Sequence, residues 1–139
     1  MAGGQGLMAG KRGLILGVAN NRSIAYGIAK ACVDHGAEIA LTYQGEAFKK
    51  RVEPLAAELN AHVAGHCDVT DPASLDAVFD DIARHWGKLD FLVHAIAFSD
   101  KDELTGRYVE TTRDNFLRTM DISVFSFTTI AKRAEPLMT

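Results

Sequence analysis

From Gly13 onward the chain alternates between short unbroken apolar runs and longer stretches whose apolar residues recur at helical spacing. Gly13-Leu14-Ile15-Leu16-Gly17-Val18 is such a run, as expected for a strand covered on both faces. Ser23 to His35 then places Ile24, Ile28, Ala31 and Cys32 on one stripe, with Ser23 as N-cap candidate and Gly36 as the stop. Glu38 to Tyr43 reads as a second strand and Ala47 to Leu59 as a second helix, with a kink or restart expected at Pro54 because proline lacks the interior donor. His62 to Cys67 reads as a third strand. Asp71-Pro72 opens a third helix through Leu75, Val78, Phe79 and Ile82, and Gly87 ends it. Phe91 to Ile96 is a fourth strand. A polar loop of about fifteen residues follows, long enough to suggest a rim over a site, and then one long helix from about Thr112 to Met138.

Strands alternating with helices imply parallel pairing through right-handed crossovers, hence an α/β fold: a three-layer, doubly wound parallel sheet of the Rossmann kind. Four strands are few for it, so the sheet is expected to be incomplete at the C-terminus and the 139 residues to be an N-terminal portion of a longer polypeptide. Residues 11–139 are read as part of one dinucleotide-binding domain. Residues 1–10, with four glycines and no periodicity, are read as a flexible arm. Phe116, Met120, Ile122, Val124, Phe125, Phe127 and Ile130 put apolar groups on more than one face of the last helix, which calls for more sheet or a subunit contact.

Composition narrows the function. Apolar residues are 47% and charged residues 24% of the chain, so it has the material for a packed core. Fifteen basic against eighteen acidic residues, intermixed, give −3, which argues against nucleic acid as a partner. No apolar stretch nears the ~20 residues of a membrane helix, and no secretion pattern opens the chain. Cys32 and Cys67 are too few for a disulfide scaffold, and the expected location is the cytoplasm.

Candidate chemistry gathers at the carboxyl ends of the strands. Gly17 ends the first strand, where a glycine lets backbone approach a diphosphate, and the helix opening at Ser23 offers free amides to negative charge. The spacing Gly17 to Gly27 only half meets G-x-G-x-x-G, and the Ser23 hydroxyl is open to two uses, phosphate contact or capping. Asp68, after the third strand, is placed to accept from an adenine amino group, or simply to start the turn into Asp71. No arginine or lysine stands beside Gln44 after the second strand, which favours NADH over NADPH. His62 and His66, four apart on a strand, share a face, but no third ligand is evident and no metal site is assigned. His94 reads as a satisfied, partly buried imidazole and Asp100 to Glu103 as a solvated charge run.

The stretch from Gly17 to Ala29, followed by Leu41-Thr42-Tyr43-Gln44, Cys67-Asp68-Val69 and Val93-His94-Ala95-Ile96-Ala97-Phe98, closely resembles the NADH-dependent enoyl-acyl-carrier-protein reductases of bacterial fatty acid synthesis, a divergent branch of the short-chain dehydrogenases/reductases. The resemblance implies an oxidoreductase that reduces the 2,3 double bond of a trans-2-enoyl thioester on acyl carrier protein with NADH, as a homotetramer. It implies cofactor contacts at Gly17, Ser23, Ile24, Gln44, Asp68, Val69, Ala95, Ile96 and Ala97, and substrate contacts at Phe98 and Ser99. Ala95 and Ala97 stand where many members have Ser and Gly; both are small. Asp121-Ile122-Ser123 resembles the segment beneath the nicotinamide. The family's catalytic tyrosine and lysine lie in a Tyr-x6-Tyr-x6-Lys segment that this sequence lacks, since no tyrosine follows Tyr108, so no catalytic residue is assigned. Two alternatives are another short-chain dehydrogenase/reductase, and a non-catalytic dinucleotide-binding module if the natural chain ends at Thr139.

Overall fold

The computed structural model of the protein describes residues 6–138. Four strands, β1 (Arg12–Leu16), β2 (Glu38–Tyr43), β3 (His62–His66) and β4 (Phe91–His94), form one parallel sheet in the order β3-β2-β1-β4. Helices α1 (Ile24–Asp34), α2 (Gly45–Glu58) and α3 (Pro72–His85) make the crossovers. The sheet carries helices on both faces, which is the expected doubly wound fold.

Strand alternation divides the core in two. Leu14, Leu16 and Ala40 face one way and pack with Leu75, Val78, Phe79 and Ile82 of α3. Ile15, Ile39 and Leu41 face the other way and pack with Ala25 and Ala29 of α1 and Val52 and Ala56 of α2. Gly13 is required by its neighbour across the ladder: a Cβ there would lie 2.1 Å from the Phe91 ring, which occupies the space instead.

α3 starts as its sequence predicts, with the Asp71 carboxylate accepting from the Ala73 amide at 3.2 Å and Pro72 in the first turn. α2 runs unbroken through Pro54, so the expected restart is absent. The histidine reading also changes. The β2–β3 register shifts between Leu41 and Thr42, paired with Val63 and Gly65, which inserts one residue into β3. That bulge reverses the alternation, so His62 turns to α3, with Nε2 2.5 Å from Asp81 Oδ1 and its ring stacked on His85. His66 instead accepts the Gly45 amide at 2.9 Å at the start of α2.

Two further expectations meet a different structure. Of the arm, residues 1–5 lie outside the described residues; from Gly6 the chain folds onto α1, where the Met8 amide donates to His35 O at 2.8 Å and Met8 packs on the core. The single helix expected from Thr112 to Met138 is three pieces: α4 (Arg113–Met120), a π-helical turn at Asp121–Phe125, and α5 (Ser126–Ala134), followed by a 3-10 turn at Glu135–Leu137. Serine chemistry accompanies the wide turn. The Ser126 hydroxyl donates back to Ile122 O at 2.6 Å, a contact that competes with regular helical pairing, while Ser123 turns outward. Ile130 and Ala134 bury α5 beside α3, whereas Leu117, Val124, Phe125 and Phe127 stay exposed.

Candidate functional site

The carboxyl ends of all four strands open into one cleft of about 580 Å³. Its floor is Gly17, Val18 and Ala19 after β1, its sides come from Thr42, Tyr43 and Gln44 of the β2 end and Cys67 to Thr70 after β3, and Ile96, Ala97 and Phe98 extend from β4. Phe48 closes it from α2, and Arg118, Asp121 and Ile122 from α4 and the π turn. In a doubly wound sheet this edge, where strand order reverses, is the place for a ligand.

Gly17 is what allows the floor to form. Its φ is 107°, and a Cβ would sit 2.1 Å from Ala95 O and 2.8 Å from Ala95 C. Any side chain would therefore push the chain beyond β4 away from β1. The next turn is closed by Ser23, whose Oγ accepts the amides of Ala19 at 2.9 Å and Asn20 at 3.1 Å. It makes no capping bond to α1. With both lone pairs engaged, the hydroxyl has its own proton left to donate, and the first amides of α1 keep no side-chain partner.

Across the cleft Asp68 is preset as an acceptor. Its Oδ1 receives the Thr70 amide at 2.9 Å and the Thr70 hydroxyl at 2.7 Å, and these bonds hold its carboxyl below the ordinary carboxylate range. Oδ2 has no hydrogen bond among the described residues. The Asp68 amide in turn donates to Ser74 Oγ at 2.9 Å, which ties the strand end to α3. Beside it burial, reinforced by the Asp68 charge, pushes the Cys67 thiol up to about 11, so it is a neutral wall at ordinary pH.

The structure thus brings Gly17, Gln44, Asp68, Val69, Ile96, Ala97 and Phe98 into one lining. Ser23, Ile24, Ala95 and Ser99 stand outside it: Ile24 is 80% exposed, and Ala95 contributes the carbonyl that abuts Gly17. Phe48, Thr70, Cys67 and Arg118 join the lining without having been singled out. For Arg118 a signal existed, since it lies one helical turn before Asp121. Its guanidinium sits 4.6 Å over the Phe98 ring and 3.1 Å from Asp100 Oδ1. The charge run is therefore partly structural: Asp100 holds Arg118, and Glu103 accepts the Thr112 amide and hydroxyl, each at 2.8 Å. His94 meets Ser126 Oγ at 2.8 Å, the satisfied imidazole expected of it.

A family profile described as enoyl-(acyl carrier protein) reductase matches residues 17–139. The chain belongs to that family. Among its curated relatives, the enoyl-[acyl-carrier-protein] reductase [NADH] 1 of Rhizobium meliloti strain 1021 is 71% identical over 138 residues, covering 99% of this chain and 51% of that protein. The corresponding reductase of Rickettsia felis is 49% identical, over 96% of this chain and 51% of its own length. Among solved structures, the reductase from Anaplasma phagocytophilum in complex with NAD superposes with a TM-score of 0.90 at 58% identity. The match covers 94% of this chain and 50% of that one. The Aquifex aeolicus enzyme reaches 0.92 at 42% identity, over 96% and 53%. The chain spans about half the length of the relatives it matches.

Proposed function

We propose that this chain is the cofactor-holding half of an NADH-dependent enoyl-acyl-carrier-protein reductase, with residues 11–139 belonging to a single dinucleotide-binding domain. The observation that carries the reading is the single cleft at the carboxyl ends of four parallel strands, floored by a glycine that no other residue replaces without moving β4. The residues suit a dinucleotide. Gly17 and the turn to Ser23 and Ile24 offer close backbone and donors to a diphosphate. Gln44 gives the ribose a neutral hydrogen-bonding neighbour, Asp68 Oδ2 accepts from the adenine amino group beside Val69, and Ala95, Ile96 and Ala97 form the wall along the cofactor.

NADH, when bound, supplies the hydride that reduces the β-carbon of the enoyl thioester. The chain's own part is to bind and orient: Val18, Ile96, Phe98 and Ile122 keep water from the reacting side, and Phe98 and Ser99 border the acyl group. Stabilisation of the developing enolate oxygen falls to the family's tyrosine and lysine, and the three tyrosines present, Tyr26, Tyr43 and Tyr108, do not form that motif. The enoyl thioester on acyl carrier protein is the proposed substrate partner and the cytoplasm the proposed location. Association into a homotetramer is supported by the exposed Leu117, Val124, Phe125 and Phe127.

The test is NADH oxidation with a crotonyl thioester, run on this chain and on the same chain continued to the length of its relatives. The continued polypeptide is expected to turn over and the 139 residues alone are not. Activity in the short chain contradicts the assignment of the oxyanion-holding pair to absent sequence, and inactivity in the long one contradicts the reductase reading.

A further inference from the structure

Beyond His94 the chain runs past its ladder with β1; Ile96, Ala97 and Phe98 enter the cleft lining, and Ser99 and Asp100 follow just outside it, with no strand pairing among the described residues. Their backbone is held by side chains from α4 and the π turn instead. Ser123 Oγ accepts the Phe98 amide at 2.9 Å and lies 3.2 Å from Phe98 O, to which it donates, so one hydroxyl engages both polar groups of one residue. Next along the chain, the buried Asn115 accepts the Asp100 amide at 2.8 Å through Oδ1 and donates to Ser99 Oγ at 3.2 Å through Nδ2.

We infer that Ser123 is a positioning residue for the acyl side of the cleft: it fixes the Phe98 peptide, and through it Phe98 and Ser99, against the substrate. The inference rests on the reductase reading above. A serine inside a regular helix commonly turns its hydroxyl back to a carbonyl one turn earlier; here that use belongs to Ser126 on Ile122, and Ser123 is released to Phe98. The π turn thereby sets two neighbours to two tasks, with Ile122 in the cleft lining and Ser123 on the wall's backbone. Arg118, itself in the cleft lining, packs over the Phe98 ring and pairs with Asp100. Removing the Ser123 hydroxyl takes from both Phe98 groups the side-chain partner they have among the described residues.

The experiment uses the polypeptide of full family length, with NADH and a crotonyl thioester. Ser123→Ala is expected to raise the KM for the thioester about tenfold while the KM for NADH stays within about twofold, the size of effect that losing one net hydrogen bond produces. Ser123→Cys, which fills the space but bonds weakly, is expected to follow Ala, and Ser123→Thr, which keeps the hydroxyl, to restore most of the affinity. Hydrogen exchange at the Phe98 amide is expected to accelerate about tenfold in the Ala and Cys variants alone. Active wild-type protein with an Ala variant unchanged in thioester KM, or with both KM values raised alike, overturns the inference by itself. Unchanged Phe98 exchange in the Ala and Cys variants does the same without recourse to activity. Inactive wild-type protein overturns the reductase reading and this inference together.

Discussion

Replacing Gly17 by Ala tests the floor of the cleft with a single methyl group. Two costs add. Holding a non-glycine residue at a φ of 107° is a strained backbone state worth roughly 1–3 kcal/mol. The added Cβ would also lie 2.1 Å from Ala95 O, and because that atom is backbone, relief requires β1 and the β4 extension to separate, an overpacking cost of roughly 1–3 kcal/mol. A loss of about 4 kcal/mol corresponds to a fall in Tm of about 10 °C for a domain of ordinary length. Gly27 supplies the control. It lies exposed within α1 with nothing within 4 Å of its would-be Cβ, so Gly27→Ala is expected to stabilise by about 0.5–1 kcal/mol through helix propensity alone. Both variants are made in the polypeptide of full family length and compared by calorimetric melting and by titration with NADH. The account expects Gly17→Ala to melt about 10 °C lower and to bind NADH more than tenfold more weakly, with Gly27→Ala at or above the wild-type Tm. A Gly17→Ala protein that melts within about 2 °C of wild type and binds normally refutes the close-approach argument.

Cys67 should resist alkylation at pH 8 and label increasingly as pH rises toward its displaced value of about 11, provided the protein stays folded. The sign follows from its raised folded pKa: whatever stability the neutral thiol contributes is intact below the ordinary value of 9.0 and is lost as pH climbs toward 11. Asp68→Asn removes one of the two raising influences and should bring labelling to lower pH; labelling that is already fast at pH 8 in the folded protein contradicts the burial. The exposed Leu117, Val124, Phe125 and Phe127 predict association, so light scattering of the full-length protein should report a tetramer, and a monomer removes that proposal.

The succession of strands and helices and the apolar stripes of the core were legible because they depend on runs and spacings that short sequence windows contain. Leu14 to Leu16, the Asp71-Pro72 start and the stripe Leu75, Val78, Phe79 and Ile82 are each decided within one or two turns of chain. What was not legible depends on distant partners. The bulge in β3 is a property of its pairing with β2; the sequence signal for it was Gly65 inside the strand, which sits at the register shift with φ 130° and separates the faces of His62 and His66. The π turn likewise coincides with a distant contact, the Ser123 hydroxyl on Phe98, 25 positions away. Pro54 fits because α2 tolerates it without a restart, where its missing donor alone argued for one. At the site, glycine and carboxylate at strand ends pointed to the cleft, while Phe48 and Arg118 enter it from helices packed around that edge.

The central claim is that the strand ends hold an adenine dinucleotide through Asp68 and the Gly17 turn. Isothermal titration of the full-length protein with NADH, wild type against Asp68→Leu, tests it most directly. Because hydrogen bonds from Thr70 keep Asp68 ionised below the usual range, wild-type binding should be nearly unchanged between pH 7 and pH 5.5, and Asp68→Leu should weaken it at least tenfold at both. Wild-type protein with no heat of binding, or a Leu variant that binds as tightly, contradicts the account.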